Sequence, residues 1–102
     1  MASIFNIYIE QGSDFQERID VTGDYTGYTI RGNIIDSTGT TTSNIASWYD
    51  AETGVFDISV SNANTALMAT GIGKYDIEVV SGSGVVDKII KGRVYVDGEV
   101  TV

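Results

Sequence analysis

Apolar and polar residues alternate along most of this chain. Ile4 to Glu10 reads IFNIYIE, with Phe5, Ile7 and Ile9 on one side and Asn6, Tyr8 and Glu10 on the other. Phe15 to Val21 puts Phe15, Ile19 and Val21 on one face and Gln16, Arg18 and Asp20 on the opposite one. Glu17 interrupts that apolar face, so a bulge or an edge is expected there. Tyr28, Ile30, Gly32 and Ile34 share a face, as do Phe56, Ile58 and Val60, and Tyr75, Ile77 and Val79. Val85 to Val96 reads as a long strand with a bulge near Ile90-Lys91-Gly92. A period of two marks strands that bury one face and wet the other.

Turn chemistry separates these runs. Thr22 to Gly27 holds glycines that adopt positive φ, with Asp24 and Thr26 able to bond their own backbone. Tyr28 follows this corner and is expected to lay its ring over the end of the core, its hydroxyl bonded to backbone. Gly32 falls inside a strand, where a missing side chain predicts a bulge or a bulky neighbour packed close. Asp36 to Gly39, Asp50 to Gly54 and Ser81 to Gly84 are further turns. Thr40 to Tyr49 reads as a polar edge strand.

One segment leaves the two-residue period. The segment around 62–70 opens on a serine or asparagine cap (Ser61 or Asn62), contains helix-compatible residues and stops at Gly71. One or two helical turns are expected, with Ala63, Ala66 and Leu67 closing one end of the sheets. The sum is an all-β fold: a two-sheet antiparallel immunoglobulin-like sandwich of seven or eight short strands with one short helix. At 102 residues the chain is read as a single domain, 1–102, with Glu99 to Val102 trailing from its last strand.

Composition narrows the chemistry. The chain has no cysteine and no histidine, which removes disulfides, thiolate metal sites and His-activated nucleophiles. Its net charge of −8 disfavours nucleic acid and anionic membranes. Four of the six basic residues, Lys74, Lys88, Lys91 and Arg93, fall in the last third. No apolar run approaches the roughly 20 residues of a membrane span. Met1 to Phe5 lacks the features of a secretory signal.

No residue set stands out as catalytic, cofactor-binding or metal-binding. Gly23 to Gly27 opens no helix, so it offers no phosphate cradle. Asp57, Asp76, Glu78 and Asp87 fall on outward strand positions, where carboxylates are solvated and do not converge for glycoside hydrolysis. Asp50 and Glu52 are the best oxygen ligands for calcium, yet they lack EF-hand spacing. Tyr8, Tyr25, Trp48 and Tyr49 are candidates for stacking on sugar rings or anchoring a protein partner. Trp48 and Tyr49 are adjacent in a strand, so one is expected in the core and the other on the surface.

Three stretches carry a family resemblance: VTGDYTGYTIRGNII (21–35), GVFDISVSNANTALMATGIG (54–73) and KYDIEVVSGSGVVDKIIKGRVYV (74–96). The shared pattern is Thr26-Gly27-Tyr28 with Arg31, then Ser61, Thr65, Leu67 and Gly71, then Tyr75-Asp76, then Gly92, Val94 and Val96. Over residues 5 to 100 the chain resembles small immunoglobulin-like proteins of tailed phages. These include the N-terminal domains of baseplate upper proteins and related tail, neck and head-decoration proteins. The chain departs from that set in having no proline near the turn after Leu67. The resemblance implies a non-enzymatic virion protein, assembled in the host cytoplasm, that docks onto other phage structural proteins in multiple copies. The stop at Val102, with no receptor-binding domain after it, points to a stand-alone adaptor or capsid decoration protein. A carbohydrate-binding module attaching to cell-surface glycans is the alternative expectation.

Overall fold

The alternating segments become strands in a computed structural model, which describes residues 3–98. The expected trailing segment Glu99 to Val102 lies outside that range. Among the described residues nine strands form two sheets. They are β1 (Ser3–Ile4), β2 (Ile7–Glu10), β3 (Phe15–Asp20), β4 (Thr29–Ile35), β5 (Thr41–Ser43), β6 (Ala46–Asp50), β7 (Val55–Val60), β8 (Gly71–Val80) and β9 (Val86–Asp97). The larger sheet runs β1-β9-β8-β4-β5, with β2 also on β9, and the smaller runs β3-β7-β6. The two layers form the expected all-β sandwich.

Alternation sorts the side chains as the pattern requires. Ile7, Ile9, Ile34, Phe56, Ile58, Ile77, Val79 and Val94 are all buried between the layers. Each such aliphatic side chain stabilises the fold by about 1.5–3 kcal/mol relative to an exposed one. Gly32 is a close-approach site: a Cβ there would overlap Ile77 and crowd Ile45. Glu17 on β3 pairs with Ile58 on β7, but β3 is a sheet edge, so the carboxylate escapes to solvent without a bulge.

Several expectations change. The Thr40 to Tyr49 strand is split in two: β5 edges the larger sheet and β6 edges the smaller. Asn44 takes a positive φ of 59° at the crossing, and Ile45 is buried behind it. The bulge in the last strand comes earlier than expected: Ile77 faces Ile90 while Glu78 faces Lys88, leaving Ile89 as the extra residue. Ile89 and Ile90 are consequently both buried.

The N-terminal strand runs parallel to β9, so the larger sheet is mixed rather than purely antiparallel. It passes over Gly92, where a Cβ would overlap the Phe5 carbonyl. Asn6 Oδ1 accepts the Arg93 N–H (2.9 Å) where a backbone carbonyl would normally do so. Tyr75, directly across from Gly92, donates its hydroxyl to the Phe5 carbonyl. Tyr75 rather than Tyr28 is therefore the tyrosine whose hydroxyl bonds to backbone.

The helix is one turn, α1 (Asn62–Thr65), capped by Ser61, which accepts from the Asn64 N–H. The face it buries differs from expectation. Ala63, Ala66 and Leu67 are exposed, and Leu67 is 79% accessible. Thr65 and Met68 point inward instead. Thr65 Oγ1 donates to the Ser13 carbonyl (2.7 Å), which pins the turn to the β2–β3 connection.

Candidate functional site

The core fills the space between the sheets, so side chains available for recognition lie on outer faces. On the larger sheet the outward positions are Arg31, Asn33 and Ile35 on β4, Lys74, Asp76 and Glu78 on β8, and Lys91, Arg93 and Tyr95 on β9. Strand register fixes their neighbours: Arg31 faces Glu78, Asn33 faces Asp76, Ile35 faces Lys74, Lys74 faces Arg93, and Asp76 faces Lys91. Ile4 on β1 lies beside Lys91 on the same face. Asn33, Ile35, Lys74, Asp76, Lys91 and Arg93 line a shallow groove of about 730 Å³, walled at one side by Ile4 and Asn6.

The groove collects positive charge in an acidic chain. Five of the six cations stand on this face, among them the four noted in the last third of the sequence. Arg31 pairs with Glu78, and Lys88 pairs with Asp76 at 2.9 Å. The Asp76 carboxylate raises the Lys88 ammonium above its usual range. Among the described residues Lys74, Lys91 and Arg93 have no carboxylate partner, and all three line the groove. Lys74 and Arg93 are also direct cross-strand neighbours, an arrangement of like charges that destabilises a sheet.

Beyond Arg93 the face turns aromatic. Tyr8 and Tyr95 stack with centroids 5.0 Å apart and planes 13° from parallel. Tyr8 is 68% exposed, and Ile72 beside Tyr95 is 56% exposed. Glu10 faces Asp97 at the far end of this strip. Tyr95 was missed by sequence reasoning; it becomes visible only once β2 is known to lie parallel to β9.

The other candidates separate. Tyr25 stacks on Trp48 at 5.4 Å, Tyr28 meets Tyr25 edge-on, and Trp48 meets Phe56 edge-on. Trp48 Nε1 donates to the Tyr28 carbonyl at 3.0 Å. The TGDYTGY corner is thus an aromatic clasp over one end of the sandwich, and Trp48 packs against the core as expected. Tyr49 lies outside, with the Arg18 guanidinium 3.5 Å from its ring centroid. Arg18 also grips Asp57 through both carboxylate oxygens (2.8 and 3.1 Å), which lowers the Asp57 pKa.

The acidic candidates do not converge. Asp50 Oδ1 accepts the Glu52 N–H (3.2 Å), closing its own turn. Among the described residues no group of three or more carboxylates is placed to hold a metal ion. Asp87 is exposed near the Ser81 to Gly84 hairpin. Among the described residues the buried carboxylate is Asp36, 6% accessible, which ties the β4–β5 turn to the segment after the helix.

Comparison with known proteins adds fold and nothing finer. No family model matches the sequence, and no curated protein does. Among solved structures, the chain is similar to part of a family 123 glycoside hydrolase from Clostridium perfringens, studied for glycolipid glycan hydrolysis. The TM-score is 0.61 at 12% identity, over 97% of this chain. The chain spans only 23% of that enzyme chain. It is also similar to CopC from Methylosinus trichosporium OB3b, with a TM-score of 0.54 at 16% identity, covering 95% of this chain and 87% of that one. Identities this low define a class, a small β-sandwich, and carry no shared activity.

Proposed function

We propose that this chain is a non-enzymatic structural protein of a tailed-phage virion, docking onto other virion proteins as a tail, baseplate or neck adaptor or as a capsid decoration protein. One observation carries the interaction role: unpaired cations and exposed large apolar side chains share one open sheet face, while the inner faces are closed by the core. Such a face suits contact with a macromolecule, where aromatic and basic residues serve as anchors. The phage setting rests on the sequence patterns at 21–35, 54–73 and 74–96. The test is mass spectrometry of purified particles from a phage encoding the chain. A fixed copy number per particle is expected, matching either the capsid lattice or the tail. Absence from mature particles refutes the assignment.

A second reading is favoured by the Tyr8–Tyr95 stack. The exposed Tyr8 ring, held parallel against half-buried Tyr95, offers its outer face to a sugar ring, so the chain would bind glycans through this strip. A glycan array should then show binding that Tyr8→Ala removes without loss of folding. No binding by the unaltered chain eliminates it.

A further inference from the structure

We infer that the basic groove on the larger sheet receives the acidic loop end of a second copy of this chain, giving head-to-tail association. The inference goes beyond the docking role above and stands on two independent features of the surface. The first is the groove itself. Lys74, Lys91 and Arg93 line it without carboxylate partners among the described residues, and Lys74 directly opposes Arg93. That like-charge pair raises the energy of the isolated sheet, and an incoming carboxylate would relieve it.

The second feature lies at one end of the sandwich. The loops 21–25 and 51–54 are bound together by the Val21, Gly23 and Tyr25 N–H groups, which donate to the carbonyls of Gly54, Thr53 and Ala51. This loop pair displays Asp20, Asp24, Asp50 and Glu52, all exposed or at the rim. Three of the carboxylates are held by one oxygen only. Asp20 Oδ1 accepts the Thr22 N–H (2.8 Å), Asp24 Oδ1 accepts the Thr26 N–H and hydroxyl (3.0 and 2.6 Å), and Asp50 Oδ1 accepts the Glu52 N–H. Each leaves its other oxygen without a hydrogen bond among the described residues, on an exposed side chain. Carboxylates fixed in this way lose little entropy on meeting a lysine or arginine.

The acidic loop end of one molecule does not reach its own groove. Thr29 begins β4 next to the loop end, while Ile35 lines the groove six residues further on, roughly 20 Å away along the strand. The net charge of −8 does not forbid the contact, because charges more than about 8 Å apart are screened at physiological salt. Two different surfaces meet, so the contact is heterologous. It propagates into a ring if the rotation closes and into a filament if it does not.

The experiment uses the whole chain and two charge-reversed forms, Lys91→Glu/Arg93→Glu and Asp50→Lys/Glu52→Lys, each checked for folding by its thermal melt. Sedimentation equilibrium up to ~1 mM at low and high salt reads the association, since a weak contact has a Kd near that range. Unaltered protein should associate, with the association constant falling about tenfold or more at high salt. Each reversed form should be monomeric alone, and an equimolar mixture of the two should associate again. A monomer at every concentration overturns the inference, as does association that neither reversal weakens. Capture of an acidic oligosaccharide by a groove that recruits no second copy also overturns it. A chain that stays monomeric yet is found in virions refutes this inference and leaves the proposed function standing.

Discussion

Replacing Asp36 by asparagine tests how the two halves of the fold are fastened. Asp36 Oδ1 accepts the Thr38 N–H (2.9 Å), the Thr38 hydroxyl (2.7 Å) and the Thr40 N–H (3.0 Å). Its Oδ2 accepts the Ala69 N–H at 3.0 Å, from a residue 33 positions away. Asparagine keeps one acceptor oxygen, so it retains the turn and presents an NH₂ group to the Ala69 N–H. Two donors then face each other and the tether is lost. The same bonds, Ala69 first, draw the Asp36 pKa down from 3.8 to about 2. That displacement corresponds to at most about 2.5 kcal/mol by linkage. Screening near the surface of a domain this small lowers it to about 1–2 kcal/mol.

The sign follows from the direction of the shift. A carboxyl whose folded pKa is depressed contributes fully above its unfolded value near 4 and loses its contribution as pH falls toward 2. Asp36→Asn should therefore lower stability by about 1–2 kcal/mol at pH 7, or roughly 5–15 °C in Tm, with the gap closing by about pH 2. Urea unfolding followed by the fluorescence of Trp48, the single tryptophan, reads this directly. Other titrating groups are common to both proteins and cancel in the difference. Equal midpoints at pH 7, or a gap that persists undiminished to pH 2, would show that the Ala69 tether does not hold the fold.

Three further outcomes follow from the packing. Gly92→Ala forces a Cβ into the Phe5 carbonyl, so β1 and β2 should lift from β9; hydrogen exchange should rise at residues 4–10, with a stability loss of about 2 kcal/mol or more. Tyr75→Phe removes the donor to the Phe5 carbonyl and should cost about 1–2 kcal/mol. Burial, and the Glu17 charge after it, push the Tyr75 phenol up to about 12, so absorbance titration should show one late tyrosine, absent from Tyr75→Phe. Its raised pKa stabilises the fold below about pH 10 and is lost as pH climbs toward 12. Trp48→Ala empties the aromatic clasp and should cost about 3 kcal/mol, whereas Tyr8→Ala at an exposed ring should cost under about 1 kcal/mol by urea unfolding.

The two-residue period carried most of the fold. It placed Ile7, Ile9, Ile34, Phe56, Ile58, Ile77 and Val79 inside, because burial on one face is a local property of a strand. It failed where a long-range partner decided the outcome. The polar run at 40–49 gave no hint that the chain changes sheets at Asn44. The helical spacing of Ala63, Ala66 and Leu67 suggested a buried face, but a single turn is oriented by its anchors, here the Thr65 hydroxyl and Met68. Tyr28, following a corner, was the tyrosine expected to bond backbone, and Tyr75 read only as an inward strand residue; the course of β1 and β2 over Gly92 gives that role to Tyr75. For the surface, the cluster of cations in the last third was legible. That three lack carboxylate partners among the described residues and share a groove depends on strand register, which the sequence does not encode locally.

The parallel N-terminal strap links the fold to this surface. Ile4 and Asn6 form one wall of the groove, and the strap that carries them is held by the Phe5 N–H to Lys91 carbonyl bond (2.9 Å), by Asn6 on Arg93 and by Tyr75 on Phe5. Lys91 and Arg93 are thus at once charged walls of the groove and backbone anchors of the strap beside it. Side-chain reversal at these positions alters the charge and leaves the backbone bonds in place. Gly92→Ala does the opposite, displacing the strap while every cation remains. If head-to-tail association needs only the positive potential, Gly92→Ala should lower stability and spare association at low salt. If it needs the shaped groove, that one methyl group should weaken both, and association should fall even where the protein remains fully folded.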